Sequence, residues 1–369
     1  DPNRAAPVRK QLFKSVRAFV YMFCACLGCL LSGCATPTKP LFREPDPTLH
    51  WPASPTSARI LYLGSLHSDA DLHAAKGVFE AIGEFLVGPK KPQSLYGPRM
   101  AVATRDGQRV WIADPGGRCL QLFDLERRKA LRLHTLGGAP LLSPVGLSLG
   151  PDDSLFVCDS QSGAIHKISA RDGSHMDTLQ GPEDLLRPVA LYYDEHANEL
   201  WVVDALGHDL KVLAPDGSLR RIVGHRGTGP GEFNFPCAIT ATDHAVWIAD
   251  TGNHRVQAIT RGGTPITSFG RAGDAPGDLA LPKGIALDSD EHVYVVDGRF
   301  ENVQIFNAAG ELLLFFGEEG TAPGEFWLPS GVFMEPTGRI WVCDTYNQRV
   351  QVFQYVRDEQ AAKRGVPAN

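Results

Sequence analysis

The chain reads as an all-β protein, a six-bladed β-propeller whose last blade is closed by a strand from near the N-terminus. Three observations predict it. A short strand motif ending in aspartate occurs six times at near-constant spacing, each occurrence sits in a four-strand pattern, and an unpaired strand pattern precedes the first repeat.

The motif appears as Val110-Trp111-Ile112-Ala113-Asp114, Leu155-Phe156-Val157-Cys158-Asp159 and Leu200-Trp201-Val202-Val203-Asp204. It returns as Val246-Trp247-Ile248-Ala249-Asp250, Val293-Tyr294-Val295-Val296-Asp297 and Ile340-Trp341-Val342-Cys343-Asp344. The aspartates recur at intervals of 45, 45, 46, 47 and 47 residues. A proline-led apolar run precedes each motif, as at 282–288, and an alternating strand follows it, as at 349–353. Most repeats then show a fourth strand, as at 312–317. Four strands in about 45 residues is the pattern of a propeller blade. The sixth repeat stops after its third strand, which would leave an open sheet edge. Residues 59–64 match the fourth-strand pattern and are expected to fill that place, closing the ring.

Gly (38) and Pro (27) are abundant and fall between short apolar runs, as many turns require. Lys plus Arg (36) against Asp plus Glu (42) gives a formal charge of −6, which argues against a nucleic-acid binder. The N-terminus has the order of an export signal: Arg9, Lys10, Lys14 and Arg17 precede an apolar run over 18–31 that is short for a bilayer span. It ends in Leu31-Ser32-Gly33-Cys34, which resembles the bacterial lipobox, in which the cysteine is diacylated and becomes the mature N-terminus. The expected organisation is a signal peptide over 1–33, a lipid-anchored tether over 34–57, the propeller over 58–356 and a tail over 357–369. Cleavage before Cys34 takes the net charge from −6 to about −10. Ala35, in place of the aspartate that marks inner-membrane retention, points to an outer membrane facing the periplasm.

Of eight cysteines, Cys24, Cys26 and Cys29 lie in the apolar run and Cys34 would carry lipid. Cys119, Cys158, Cys237 and Cys343 have no CxxC spacing and fall in different blades, so buried free thiols are expected.

Residues 246–258 and 340–353, with their Asp-Thr-Gly-Asn-His-Arg-Val-Gln and Asp-Thr-Tyr-Asn-Gln-Arg-Val-Gln cores, resemble the NHL repeat. The resemblance covers about residues 58–355 and implies an NHL- or TolB-like propeller. Blades four to six are near its consensus, whereas blades one to three lack the Asn-x-Arg-Val core. It does not by itself assign a task, since NHL-like propellers include RNA binders, protein-interaction modules and metal-dependent lyases.

In an antiparallel blade, the start of the first strand and the end of the second share one face. That face is expected to gather Arg99, Val145, Val189, Cys237, Lys283 and Ser330 around the channel mouth, with Arg118, His208, His254, Arg299, Phe300 and Tyr346 on the loops after each aspartate. Cationic and aromatic groups together suit an anionic peptide, glycan or partner loop. The aspartates themselves are expected to accept backbone N–H bonds in the following turn. The loops over 224–236, 270–282 and 317–329 are glycine-rich but lack the Gly-Lys-Ser/Thr ending of a phosphate loop, and Phe233, Leu279 and Phe326 are expected to plug between blades. Leu72, Val78, Phe79, Ile82, Phe85 and Leu86 have helical spacing, with Gly88-Pro89 as a stop.

The expected function is a non-enzymatic, lipid-anchored, monomeric scaffold that binds a protein partner or envelope polymer on this face, with no cofactor and no nucleic acid. The alternative is a metal-dependent lyase or lactonase-like hydrolase with a divalent ion, zinc or calcium, in the central channel. No HExxH motif is present, and the first-strand positions supply almost no histidine.

Overall fold

The computed structural model describes residues 41–42, 45–46, 48–53, 58–73, 91–183 and 185–357. The export signal, Cys34, most of the tail and the helical pattern beyond Leu72 lie outside them.

Five four-stranded antiparallel sheets and one five-stranded sheet follow one another along the chain. The first strands are Met100–Ala103, Pro144–Leu149, Pro188–Asp194, Pro236–Ala241, Pro282–Leu287 and Val332–Met334. The second strands all end on the repeated aspartates: Arg109–Asp114, Ser154–Asp159, Glu199–Asp204, Val246–Asp250, Val293–Asp297 and Arg339–Asp344. Closure occurs as the sequence predicts. Ile60–Leu66 pairs antiparallel with Arg349–Tyr355, the third strand of blade six, with a register shift between Tyr62 and Gly64.

Besides a short hairpin of Thr135–Leu136 with Ala139–Pro140, one strand was not expected. His50–Trp51, within the expected tether, pairs with Ile60–Leu61 as a fifth strand on the outer edge of blade six. Trp51 is held by tertiary contacts, its ring centroid 5.8 Å from both Phe316 and Phe353. Phe42 meets Trp341 edge-on at 5.7 Å. The chain therefore joins the propeller ahead of residue 58. At the other end Arg357, the first residue of the expected tail, pairs with Asp290 at 3.2 Å.

The core is divided into wedges between neighbouring blades. Within each motif the residues alternate sides: Val110 and Ile112 pack towards blade six, while Trp111 and Ala113 pack towards blade two. The same alternation places Phe156, Trp201, Trp247, Tyr294 and Trp341 against the blade that follows each of them. A sheet covered on both faces needs an unbroken apolar run, which is why these strands carry no polar face.

The three glycine-rich loops are plugs, as expected. Phe233, Leu279 and Phe326 are fully buried in the wedges that join blades three to four, four to five and five to six. Gly224, Gly270 and Gly317 begin these loops at φ of 79°, 89° and 87°. A Cβ at any of the three would fall inside contact distance of the plug side chain, so the turn and the plug both require glycine there.

Candidate functional site

Each repeated aspartate ties together the two loops that form one face of the disc. The residue two before each first-strand proline position donates its backbone N–H to the aspartate of the same blade: Tyr96 to Asp114 (2.8 Å), Leu142 to Asp159 (2.6 Å), Leu186 to Asp204 (2.8 Å), Asn234 to Asp250 (2.7 Å), Ala280 to Asp297 (2.7 Å) and Trp327 to Asp344 (2.8 Å). The carboxylates also accept from the turn that follows, as Asp297 does from the N–H groups of Arg299 (2.9 Å) and Phe300 (3.1 Å). The expected structural role of the aspartates therefore holds. Burial pushes the Asp344 carboxyl up against the pull of the Trp327 N–H, Asn347 and Arg349.

These latches position an apolar fringe that the sequence reading missed. Tyr96, Leu186, Leu206, Phe235, Trp327 and Tyr346 are exposed on this face, with Trp327 at 47% and Tyr346 at 58%. The rings of Trp327 and Tyr346 lie 5.6 Å apart, and the Arg132 guanidinium sits over Tyr96 at 5.3 Å. The other exposed large apolar side chains, such as Met176, Ile266 and Phe315, lie on the outermost strands. Among the described residues, the loops of the opposite face expose none. The missed signal was local: Tyr96, Leu186 and Trp327 each stand two residues before a proline, where a large apolar residue has no strand neighbour to cover it.

Inside the channel mouth, Arg99, Val145, Val189, Cys237 and Lys283 line a common recess, as expected. Ser330 does not. It is 1% exposed, and its hydroxyl meets the Thr345 hydroxyl (2.7 Å) and donates to the Arg99 carbonyl (3.0 Å), clasping blade six to blade one. Cys237 makes the equivalent clasp from blade four, its thiol 3.3 Å from the carbonyls of Pro282 and Lys283 and accepting from the Thr251 hydroxyl at 2.7 Å. Burial pushes the Cys237 thiol up, so it stays protonated, and Cys119 and Cys158 are pushed up to about 12. Three of the four cysteines are buried and Cys237 is half-buried, all as free thiols.

On the rim, Arg118, Arg299 and Tyr346 are exposed, and Phe300 is half-buried. His208 is withdrawn at 7% exposure: Phe235 covers its ring at 4.4 Å, and its Nδ1 accepts from the Phe235 N–H at 3.1 Å. The His254 Nδ1 is 2.8 Å from the Ala280 carbonyl, which occupies one of its two ring nitrogens. Hydrogen bonds to the next blade's entry loop thus engage one ring nitrogen of each of these two histidines.

The larger recess, about 370 Å³, opens at the other end of the channel, where charges are matched. Arg105 pairs with Glu195, and His196 lies 3.5 Å from Asp243. Among the described residues, one cluster has three potential metal-ligating side chains within reach of each other: Asp288, Asp290 and His292, in the blade-five turn of that opposite face. Asp288 there accepts from the N–H groups of Asp290 and His292 (both 2.9 Å) and from the Tyr294 hydroxyl (3.2 Å), which accounts for the turn without an ion.

A propeller of this geometry belongs to a widely used architecture, and comparison narrows the kind. The family model described as the NHL repeat matches residues 326–353, so the chain is a six-bladed β-propeller carrying an NHL repeat in its last blade. The chain is 30% identical over 123 residues to NHL repeat-containing protein 2 of Bos taurus and 29% identical over 123 residues to its Homo sapiens counterpart. Each match covers 27% of this chain and 16% of the relative, so the chain spans less than a fifth of those proteins. Among solved structures, a streptogramin B lyase superposes with a TM-score of 0.54 at 14% identity, over 73% of this chain and 84% of that one. A gluconolactonase of Xanthomonas campestris gives 0.55 at 17% identity, over 71% and 87%. At these identities the likeness is one of fold.

Proposed function

We propose that this protein is an exported, lipid-anchored propeller scaffold, tethered through Cys34 to the periplasmic side of a bacterial outer membrane. On this reading it binds a protein partner or envelope polymer through the latched face. The observation that carries the reading is the distribution of exposed apolar side chains. Among the described residues, those not on outer strands sit on one face, fixed by the aspartate latches, beside cations with no carboxylate within ion-pair distance. A pre-formed patch of aromatic and arginine side chains is the composition of a binding hot spot. The residues lining the mouth include no histidine and no carboxylate, which favours binding over metal-assisted chemistry at that end.

Affinity capture from envelope extracts tests this. The double variant Trp327→Ser with Tyr346→Ser should lose the captured partner, whereas Leu313→Ser with Phe315→Ser on an outer strand should keep it. Equal capture by both variants would reject the assigned face. Cys34→Ala should abolish incorporation of labelled fatty acid, and label retained in that variant would reject the anchor. About one zinc, manganese or iron per chain in protein purified without chelator would instead favour the lyase or hydrolase reading.

A further inference from the structure

Arg99 and Lys283 are two like charges brought together in one recess. They enter the channel recess from blades one and five, on either side of blade six, whose own side chain at that level, Ser330, is turned into the blade clasp. Among the described residues, neither side chain has a carboxylate within ion-pair distance or a hydrogen-bond partner. Burial and the neighbouring Arg99 charge hold the Lys283 ammonium below the usual lysine range. Several other half-buried cations are matched by carboxylates, Arg255 at 2.9 Å from Asp250, Arg221 at 2.7 Å from Glu199 and Arg109 at 3.4 Å from Asp124, while Arg132 donates to the Ser94 carbonyl and Lys167 lies over the Phe156 ring. Two like charges gathered in a recess without an anion cost stability, and a fold keeps them at a place where an anion binds.

The rest of the recess says which anion. Its volume is about 40 Å³. With roughly 10–15 Å³ needed to hold one water, that is room for a few water-sized groups, the scale of a carboxylate head. Opposite the cations stand Val145 and Val189, with an apolar waist below them formed by Met100, Leu147, Leu191, Ile239, Ile285 and Val332. A group that fits both walls has a carboxylate head on an aliphatic stem.

We propose that the channel mouth is a carboxylate-binding site, in which Arg99 and Lys283 hold the oxygens and Val145 and Val189 receive the adjoining carbons. It deepens the scaffold reading and rests on it: the carboxylate is that of a polypeptide partner, its C-terminus or an acidic side chain, seated while the partner's surface covers the apolar fringe.

Binding of ¹³C-labelled acetate to the intact chain, followed by NMR line broadening, tests the site. Arg99→Gln and Lys283→Met should each weaken it by about tenfold, since each removes one charge-assisted hydrogen bond. Arg171→Gln, at an exposed ion pair with Asp153 on the opposite face, should not weaken it. Both mouth variants should also melt above the parent, because each relieves the repulsion, and this readout shows that they are folded. Acetate binding that survives both substitutions would overturn the proposal, as would inorganic phosphate binding as tightly as acetate. A short acidic peptide and its C-terminal amide separate the two sources: tighter binding of the free acid assigns the terminus, and equal binding assigns the side chain. A partner captured through Trp327 and Tyr346 whose affinity ignores Arg99→Gln and Lys283→Met would end this inference and leave the scaffold standing. Acetate binding without any captured partner would do the reverse.

Discussion

The two faces of the disc are made from the same repeat, yet they handle charge and apolar surface in opposite ways. On the face away from the aspartates, arginines are matched: Arg171 to Asp153 (2.5 Å), Arg220 to Glu199 (3.0 Å), and Arg261 to Asp194. On the aspartate face, Arg99, Arg118, Arg187, Lys283 and Arg299 have no such partner among the described residues, and six large apolar side chains are exposed beside them. The repeated carboxylates of that face are spent on backbone N–H groups and on the inward cations Lys211, Arg255 and Arg349. The difference teaches that the repeated aspartate is indirect in its service to function: it organises the loops and thereby leaves the surrounding cations and aromatics for another molecule.

The largest expected effect comes from breaking a latch. Asp344→Ala removes the acceptor of the Trp327 N–H and leaves Arg349, a buried cation 2.7 Å from that carboxylate, without its counter-charge. A loss of about 3–5 kcal/mol in urea denaturation is expected. Gly317→Ala should follow at more than about 1 kcal/mol, because the residue sits at φ 87° against the Phe326 ring.

The opposite face should respond to acid instead. Hydrogen bonds from Arg221, with further help from Arg220, hold the Glu199 carboxyl below its usual 4.5. Its contribution is therefore fully present above about pH 4.5 and is lost as pH falls through the depressed folded value. Glu199→Gln should flatten that part of the acid limb of a Tm-against-pH curve while leaving Tm at neutral pH slightly lower. An unchanged acid limb would show that the pair is screened. The smallest effect is expected at Arg171→Ala, whose exposed ion pair with Asp153 should be worth less than about 1 kcal/mol.

The fold was legible because propeller order is written in local, repeated signals. The aspartate-ended motif, the glycine that opens each plug loop and the orphan strand at 59–64 each state their role within a few residues. What escaped depended on partners far along the chain. His50–Trp51 is too short to announce a strand, and it is held because Trp51 finds Phe316 and Phe353 some 265 and 302 residues away. Ser330 follows its proline as Arg99 and Lys283 follow theirs, but the Thr345 hydroxyl and the Arg99 carbonyl turn it inward. For the site, the sequence placed Arg99, Cys237 and Lys283 together by strand register alone. It could not show that His208 would be roofed by Phe235, or that the latches would leave Tyr96, Leu186 and Trp327 pointing outwards.

The most direct test of the assigned face is site-specific photo-crosslinking in the living envelope, with a benzophenone side chain placed at Phe235, Trp327 or Tyr346 on one face and at Asp216, Glu291 or Thr337 on the other. The account predicts a discrete crosslinked partner from the first set and none from the second. Crosslinks to the same partner from the second set alone would contradict it and move the binding surface to the charge-matched face.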